Sequence, residues 1–262
     1  MLDLPARPAP ATGRLALTYR QLADACPALT FSLVDEGPVG GTPADGRERT
    51  PADGRERIPA DGREWIPADR LASAVERLVD AEAARIRDRH GLAPRPHVAA
   101  SRLLHHHLWT TSLLISGVWY LEGRIPLLPA DHLWTDTATG DFALRPGDWA
   151  PGDGAALRDA VAAHVGPVLA AFQPLVRRGP RALWGMATDD LLSGLWYLGR
   201  MLGEEDRAVA TATALLPAGA RPWTGPANFR REHGGWTRTR QGCCLYYAVD
   251  PANPCATCPR RA

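Results

Sequence analysis

Four cysteines near the C-terminus constrain this chain more than any other feature of its sequence. Cys243 and Cys244 are adjacent, and after ten intervening residues Cys255 and Cys258 form a C-x-x-C pair. The one remaining cysteine, Cys26, lies near the other end of the chain. Thiolates are soft ligands that bind zinc, copper(I) and iron–sulfur clusters. The spacing therefore predicts that the C-terminal segment folds around a metal centre.

Disulfides and structural zinc are the two other uses of these thiols. Disulfides need an oxidising compartment, and the N-terminal sequence MLDLPARPAPATGR lacks the charged start and apolar run of a signal peptide. Structural zinc sites usually draw on two short-spaced cysteine pairs, whereas here only Cys255 and Cys258 have that spacing. Adjacent side chains diverge and suit ligands to different metal atoms, so the pattern favours an iron–sulfur cluster and leaves zinc as the alternative.

The residues around the cysteines resemble a known family. The run from Arg240 to Tyr247, RQGCCLYY, and the run from Cys255 to Pro259, CATCP, are similar to the C-terminal signature of the FhuF-type ferric-siderophore reductases. In that family a C-C-x10-C-x2-C motif holds a [2Fe-2S] cluster. The resemblance implies that the four ligands here are Cys243, Cys244, Cys255 and Cys258.

The resemblance also implies one-electron chemistry on iron chelates in the cytoplasm. Siderophores hold Fe(III) through hard oxygen donors, which match the less charged Fe(II) poorly, so reduction and release are coupled. The expected substrate is a ferric siderophore. Because the chain has no G-x-G-x-x-G dinucleotide fingerprint, the expected electron donor is a partner protein such as a ferredoxin or a flavin reductase.

Two other functions remain open on the sequence. One is a non-redox scaffold or siderophore-binding protein with a structural zinc tail, and the other is a [2Fe-2S] electron carrier or iron sensor. The formal net charge of +1 gives no indication of nucleic-acid binding, and any membrane contact is expected to be peripheral at most.

Arginines and tryptophans just before the cysteines are the candidate contacts for a bulky ferric chelate. Two of these arginines would also favour the reduced, more negative cluster and raise its potential. The candidate substrate-binding residues are Arg230, Arg231, Trp236, Arg238 and Arg240.

Two further groups of polar residues are given structural roles. Consecutive residues of a helix point about 100° apart, so His105, His106 and His107 cannot all bind one metal, and they are predicted to be core or surface histidines. Asp189 and Asp190 are predicted to face the positive end of the helix dipole, near the start of a long helix.

Hydrophobic periodicity predicts a mainly α (α+β) fold with a helical body over residues 1–222 and a cluster-binding segment over 223–262. Residues 98–121 are expected to form the central core helix, too short and too polar to span a bilayer. The apolar runs Ile125–Leu128 and Phe142–Leu144 are predicted to pair as a small sheet. The other helices are predicted over 16–26, 68–90, 154–172 and 181–202.

An eight-residue repeat interrupts the helical pattern. PADGRERT, PADGRERI and PADGREWI follow one another over residues 43–66, within an insert at about 40–68. Such a segment cannot bury enough apolar surface to fold, so the sequence predicts a disordered, solvated loop.

Overall fold

Six α-helices make up most of the fold within residues 11–34, 62–255 and 257–260, which are the residues that the computed structural model describes. This confirms the predicted mainly α (α+β) class. The five predicted helices are present with shifted ends, and a sixth, short helix was not predicted. Their bounds are α1 Ala11–Ala25, α2 Leu71–His90, α3 Pro96–Glu122, α4 Gly154–Val176, α5 Pro180–Met201 and α6 Glu205–Leu215.

Helix α3 is the central helix, as predicted, and it packs against α1, α2, α4 and α5. Most of its length is buried, including Leu104, Leu108 and Leu114. Pro96 lies in its first turn, where a missing N–H costs no hydrogen bond. Gly123 ends the helix with a φ of 65°, a conformation that glycine adopts without steric cost.

Helix α5 lies closely alongside α3, and this contact sets the framework for the C-terminal segment. Gly194 faces Leu113, since a Cβ added at Gly194 would be 3.4 Å from the Leu113 Cβ. Leu191, Leu195 and Leu198 of α5 are fully buried. The two helices therefore form a rigid core on which polar side chains can be placed accurately.

Three small sheets complete the fold. A four-stranded sheet has the order β1-β5-β4-β2, in which β1 is parallel to β5 and the other pairs are antiparallel. The antiparallel pairs β3–β6 and β7–β8 are separate. The strands are β1 Phe31–Leu33, β2 Trp65–Pro67, β3 Arg124–Pro126, β4 Leu133–Asp136, β5 Phe142–Leu144, β6 Trp149–Pro151, β7 Phe229–Glu232 and β8 Gly235–Arg238.

The predicted pairing of the two apolar runs is wrong. Ile125 lies in β3, opposite Ala150 of β6, whereas Leu144 lies in β5, opposite Leu133 of β4 and Leu33 of β1. Both runs do contain strands, but the partner of each strand is set by long-range packing that short apolar runs do not specify.

The end of the repeat is ordered. Trp65 is buried in β2, which pairs with β4, so the predicted solvated loop does not extend to residue 68. Residues 43–61 of the repeat lie outside the described residues. The proposed division of the chain at residue 222 stays a prediction.

Within the described part of the chain, α4 alone is long and apolar enough to cross a membrane by length and composition. Core helices of soluble proteins meet the same criterion. Val161, Val165 and Phe172 of α4 are fully buried against the rest of the fold, which accounts for part of its apolar character.

Candidate metal centre

The four C-terminal cysteines lie together in the loop that follows hairpin β7–β8. The Cys244 and Cys255 thiols interact with each other, which lowers the pKa of Cys244 and raises that of Cys255. Cys243 is within electrostatic range of both Cys244 and Cys258. All five cysteines are free thiols, so the structure contains no disulfide at the predicted ligands.

The backbone around the cysteines brings N–H groups near sulfur. Leu245 adopts a left-handed conformation with a φ of 62°, and its N–H donates to the Cys243 Sγ at 3.4 Å. The backbone of Tyr246 is close enough to the Cys244 sulfur to lower the pKa of that thiol. The Cys258 N–H donates to the Cys255 carbonyl at 3.0 Å and closes the C-x-x-C turn. Hydrogen bonds to sulfur stabilise the thiolate form that binds metal.

A buried network of charges holds this loop on α5. Asp189 Oδ1 accepts from Arg238 Nη2 at 2.5 Å, and its Oδ2 accepts from the Gly242 N–H at 2.6 Å. Asp190 Oδ1 accepts from Arg240 Nη2 at 2.8 Å. The side chains of both aspartates and of Arg238 are fully buried, and that of Arg240 is 5% exposed. Since Gly242 directly precedes Cys243, this network sets the position of the first candidate ligand.

Helix α3 joins the same network through His105. Its Nδ1 donates to Asp190 Oδ1 at 2.7 Å, the oxygen that also accepts from Arg240. Burial raises the pKa of Asp189, while the charges of Arg238 and Arg240 oppose that shift. Buried carboxylates are tolerated only when cations and hydrogen bonds compensate them. The network therefore ties α3, α5 and the cysteine loop into one unit.

The predicted role of the two aspartates is wrong. Helix α5 begins at Pro180, so Asp189 and Asp190 lie well inside it rather than in the first turn where the helix dipole acts. Their partners are the arginines of the C-terminal segment. The sequence did contain a signal for this, because two adjacent acids that directly precede the apolar run LLSGLWYL within one predicted helix need buried cations to compensate them.

The five candidate substrate residues divide into two groups. Arg238 and Arg240 are buried in ion pairs with α5, so the structure gives them partners other than an exposed chelate. Arg230, Arg231 and Trp236 lie nearer the turn of the hairpin, where the two arginine side chains are 53% and 52% exposed. Arg231 and Trp236 Nε1 both donate to Asp206 Oδ1 of α6, and Arg230 donates to Thr239 at 2.9 Å. Substrate contact by this second group stays a prediction.

The three consecutive histidines point to three different places. His105 contacts Asp190, His106 Nε2 donates to the Gly140 carbonyl at 3.3 Å, and His107 packs edge-on against Phe142. Burial lowers the pKa of His106 to about 4 and that of His107 to about 3, so both are neutral at pH 7. Their divergence agrees with the expected core and surface roles.

The residues present fit an iron–sulfur cluster in their chemistry. Four soft sulfur donors lie in one loop, and the Cys243 sulfur accepts a backbone N–H, as cluster sulfurs commonly do. The positive charge of Arg102 lowers the pKa of Cys244, and that of Arg178 opposes the rise in the pKa of Cys243 that burial causes. Among the described residues, no three His, Cys, Asp or Glu side chains are grouped around a single ion position. A thiolate-bound metal centre is the class of site that these residues define.

Comparison with protein families identifies the segment that carries this centre. Residues 240–260 match the family model of the FhuF 2Fe-2S C-terminal domain, and Cys243, Cys244, Cys255 and Cys258 fit its pattern. The resemblance noted in the sequence is therefore confirmed for this segment. The match indicates a [2Fe-2S] cluster as the cofactor and an iron–sulfur protein in siderophore iron handling. No curated protein and no solved structure matches the chain.

Proposed function

We propose that this protein is a cytoplasmic ferric-siderophore reductase whose [2Fe-2S] cluster is held by Cys243, Cys244, Cys255 and Cys258. The observation that carries the proposal is the match of residues 240–260 to the FhuF 2Fe-2S C-terminal domain, together with the four thiols that this segment brings into one loop. When bound, the cluster supplies a site that takes up and releases one electron at a time.

The surrounding residues supply the electrostatics that such a transfer needs. Positive charge from Arg102 and Arg178 favours an additional negative charge at the sulfurs, which raises the potential of the centre. The buried ion pairs of Asp189 and Asp190 fix the loop, so little reorganisation is needed when its charge changes.

The substrate is Fe(III) held by a siderophore, and the product is Fe(II). One electron passes to the metal ion, no covalent bond to the protein forms, and the weakened chelate releases its iron. The electron comes from a partner protein such as a ferredoxin or a flavin reductase. NADPH alone is therefore expected to leave the protein oxidised in a stopped-flow experiment.

Anaerobic purification followed by visible and low-temperature EPR spectroscopy tests the cofactor. We expect a red-brown protein that gives a spin-half signal after reduction with dithionite. The reduced protein should then convert one equivalent of a ferric siderophore to Fe(II), trapped by a ferrous-specific chelator. Cys244→Ala is expected to abolish both the signal and the conversion, whereas Cys26→Ala should retain them, because Cys26 is buried in the core away from the C-terminal loop.

Two results would overturn the proposal. A colourless protein with about one zinc per chain would make the segment a structural zinc tail of a binding or scaffolding protein. A protein with the cluster that fails to reduce any ferric chelate, yet exchanges electrons with a ferredoxin, would be an electron carrier or an iron sensor.

A further inference from the structure

Two segments of the chain carry arginines and no acidic residue. Residues 176–188, around the start of α5, contain three arginines and no aspartate or glutamate. Residues 217–228, which follow α6, contain Arg221 as their one charged residue. Arg181 and Arg221 are exposed, and neither forms an ion pair with the described part of the chain. The two segments therefore contribute positive charge that no acid within them balances.

The fold brings these two segments together at the surface. Arg181 and Arg221 line one cavity of about 480 Å³, and Trp184 and Trp223 contribute to the same wall. The two indole rings meet edge-on, with their centroids 5.4 Å apart. Trp223 is buried and Trp184 is half-buried, so the rings form a firm apolar base next to the exposed guanidinium groups. These four residues, together with Arg178, form a surface that we call the arginine face.

The arginine face adjoins the cysteine loop through Gln241. Arg181 lines a second cavity, of about 460 Å³, together with Thr224 and Gln241. The Thr224 hydroxyl donates to the Gln241 Oε1 at 2.7 Å. Because Gln241 is two residues before Cys243, the face begins next to the first candidate ligand.

Arg178 forms a second connection to the loop. It donates to the Met186 sulfur at 3.2 Å, and a Cβ added at Gly242 would lie 3.1 Å from the Met186 backbone nitrogen. The charge of Arg178 also opposes the rise in the pKa of Cys243 that burial causes. Cys243 is half-buried, whereas Cys244 is buried. The face therefore lies beside a candidate ligand that is partly open to solvent.

The form of the arginine face suits a protein better than a small molecule. Small-molecule sites enclose their ligand and direct a few polar groups towards it. Here the guanidinium groups of Arg181 and Arg221 are exposed, and the described residues place no unpartnered buried polar side-chain atom in the wall of either cavity. Exposed charges of one sign act over about 10 Å at about 0.1 M salt and steer an oppositely charged partner towards the surface.

We propose that the arginine face is the docking surface for the electron-donor protein, and that this donor carries an acidic surface around its own redox centre. The inference rests on the proposed function and specifies the partner of that site. Carboxylates of the donor pair with Arg181 and Arg221, since a guanidinium group binds a carboxylate through two parallel N–H groups. One electron then passes from the reduced donor, which is thereby oxidised, to the centre beside Cys243, which is reduced.

Association of the two oxidised proteins tests the docking surface separately from electron transfer. The probe is an acidic plant-type [2Fe-2S] ferredoxin, titrated calorimetrically into the cluster-containing protein. We expect a one-to-one complex whose dissociation constant rises about tenfold as salt increases from about 0.05 to about 0.3 M. Arg181→Glu and Arg221→Glu should each weaken binding about tenfold at the lower salt concentration, because each change replaces an attraction with a repulsion.

Arg200→Glu is the matched control, with the same change of charge on the same helix. Arg200 is exposed near the other end of α5, about 28 Å from Arg181 along the helix axis at about 1.5 Å per residue. Salt screens charges over that distance, so ferredoxin binding should stay within twofold of the unaltered protein. All three variants should keep the EPR signal and the rate of reduction by photoreduced 5-deazariboflavin, an uncharged reductant that needs no docking surface.

Three results would overturn the docking proposal and leave the proposed function standing. One is the absence of any binding to the acidic ferredoxin at low salt. Another is ferredoxin binding that withstands both Arg181→Glu and Arg221→Glu but is lost in Arg89→Glu, since Arg89 lines a different cavity together with Glu82 and Asp88. The third is normal ferredoxin binding by Arg181→Glu with slower oxidation of its reduced cluster by a ferric siderophore, which would make the face a chelate site.

Failure of the proposed function has a different signature. Ferredoxin would bind and reduce the protein in a manner that depends on Arg181 and Arg221, and yet no ferric chelate would be reduced. That outcome would support the docking surface and refute the reductase activity alone.

Discussion

The two ends of hairpin β7–β8 carry the same kind of ion pair in opposite environments. At the turn end, Arg231 and Asp206 form the outer pair, and their side chains are 52% and 75% exposed. At the end away from the turn, Arg238 and Asp189 form the inner pair, and both side chains are fully buried. Both residues are arginines and they are only seven positions apart, so the sequence did not distinguish the buried one from the exposed one. Burial is what separates a surface contact from a structural element of the metal site.

The difference in burial between the two ion pairs has an energetic consequence. An exposed pair of this kind contributes roughly 0–1 kcal/mol to stability because water and salt screen it. Removing one partner of a buried pair typically costs about 3–5 kcal/mol, since the remaining charge is left uncompensated. Asp189 of the inner pair also accepts from the Gly242 N–H, directly before Cys243. Loss of Asp189 should therefore disturb the metal centre as well as the stability.

The largest effect is expected from Asp189→Asn. This change leaves Arg238 buried without its carboxylate and weakens the contact with the Gly242 N–H. We expect the free energy of unfolding to fall by about 3–5 kcal/mol, as measured by urea denaturation of the cluster-containing protein. Iron content per chain should fall as well, because the loop is no longer held at its start.

A double variant that removes both charges tests whether the unpaired buried charge of Arg238 is what destabilises Asp189→Asn. Asp189→Leu combined with Arg238→Met removes both charges and is expected to recover part of the stability lost in Asp189→Asn. A change of less than about 1 kcal/mol for Asp189→Asn alone would show that the buried pair contributes no more to stability than the exposed one.

An intermediate effect is expected from Gly242→Ala. A Cβ at this position would lie 2.8 Å from the Met186 Cγ and 3.1 Å from the Met186 backbone nitrogen, so the loop would have to move away from α5. Such overpacking typically costs about 1–3 kcal/mol. The visible absorbance per chain should fall together with the stability.

Gly166→Ala in α4 is the matched control for that substitution. Nothing lies within 4 Å of a Cβ added there, and the site is within a helix. It should leave the absorbance unchanged and stabilise the protein by up to about 1 kcal/mol, because alanine favours the helix. If Gly242→Ala were as harmless, close contact of the loop with α5 would not matter for the metal centre.

Local signals in the sequence predicted much of this fold. Helix α3 is framed by Pro96 and Gly123, and α2 ends at Gly91, so these bounds were predictable within a few residues. The cysteine spacing likewise indicated the metal centre and the family model that residues 240–260 match. Both kinds of signal depend on neighbours in the chain.

Features that depend on distant parts of the chain were missed or misassigned. The pairing of β3 with β6, the pairing of β5 with β1 and the buried pairing of Asp189 with Arg238 all join segments that are separated in sequence. Two acids within an apolar helix indicated that buried cations must exist, but they could not identify which arginines those were.

The smallest effect is expected from Arg231→Gln, at the exposed end of the hairpin. Its ion pair with Asp206 and its stacking on Trp236, with the guanidinium 4.3 Å from the ring centroid, are open to solvent. Stability should change by less than about 1 kcal/mol, and the change should shrink further as salt is added. The same variant tests the predicted chelate contact, since a loss of ferric-siderophore turnover with unchanged stability and iron content would assign Arg231 to the substrate. A loss above 2 kcal/mol would instead mean that the outer pair is structural like the inner one, and exposure would no longer explain the difference between the two ends.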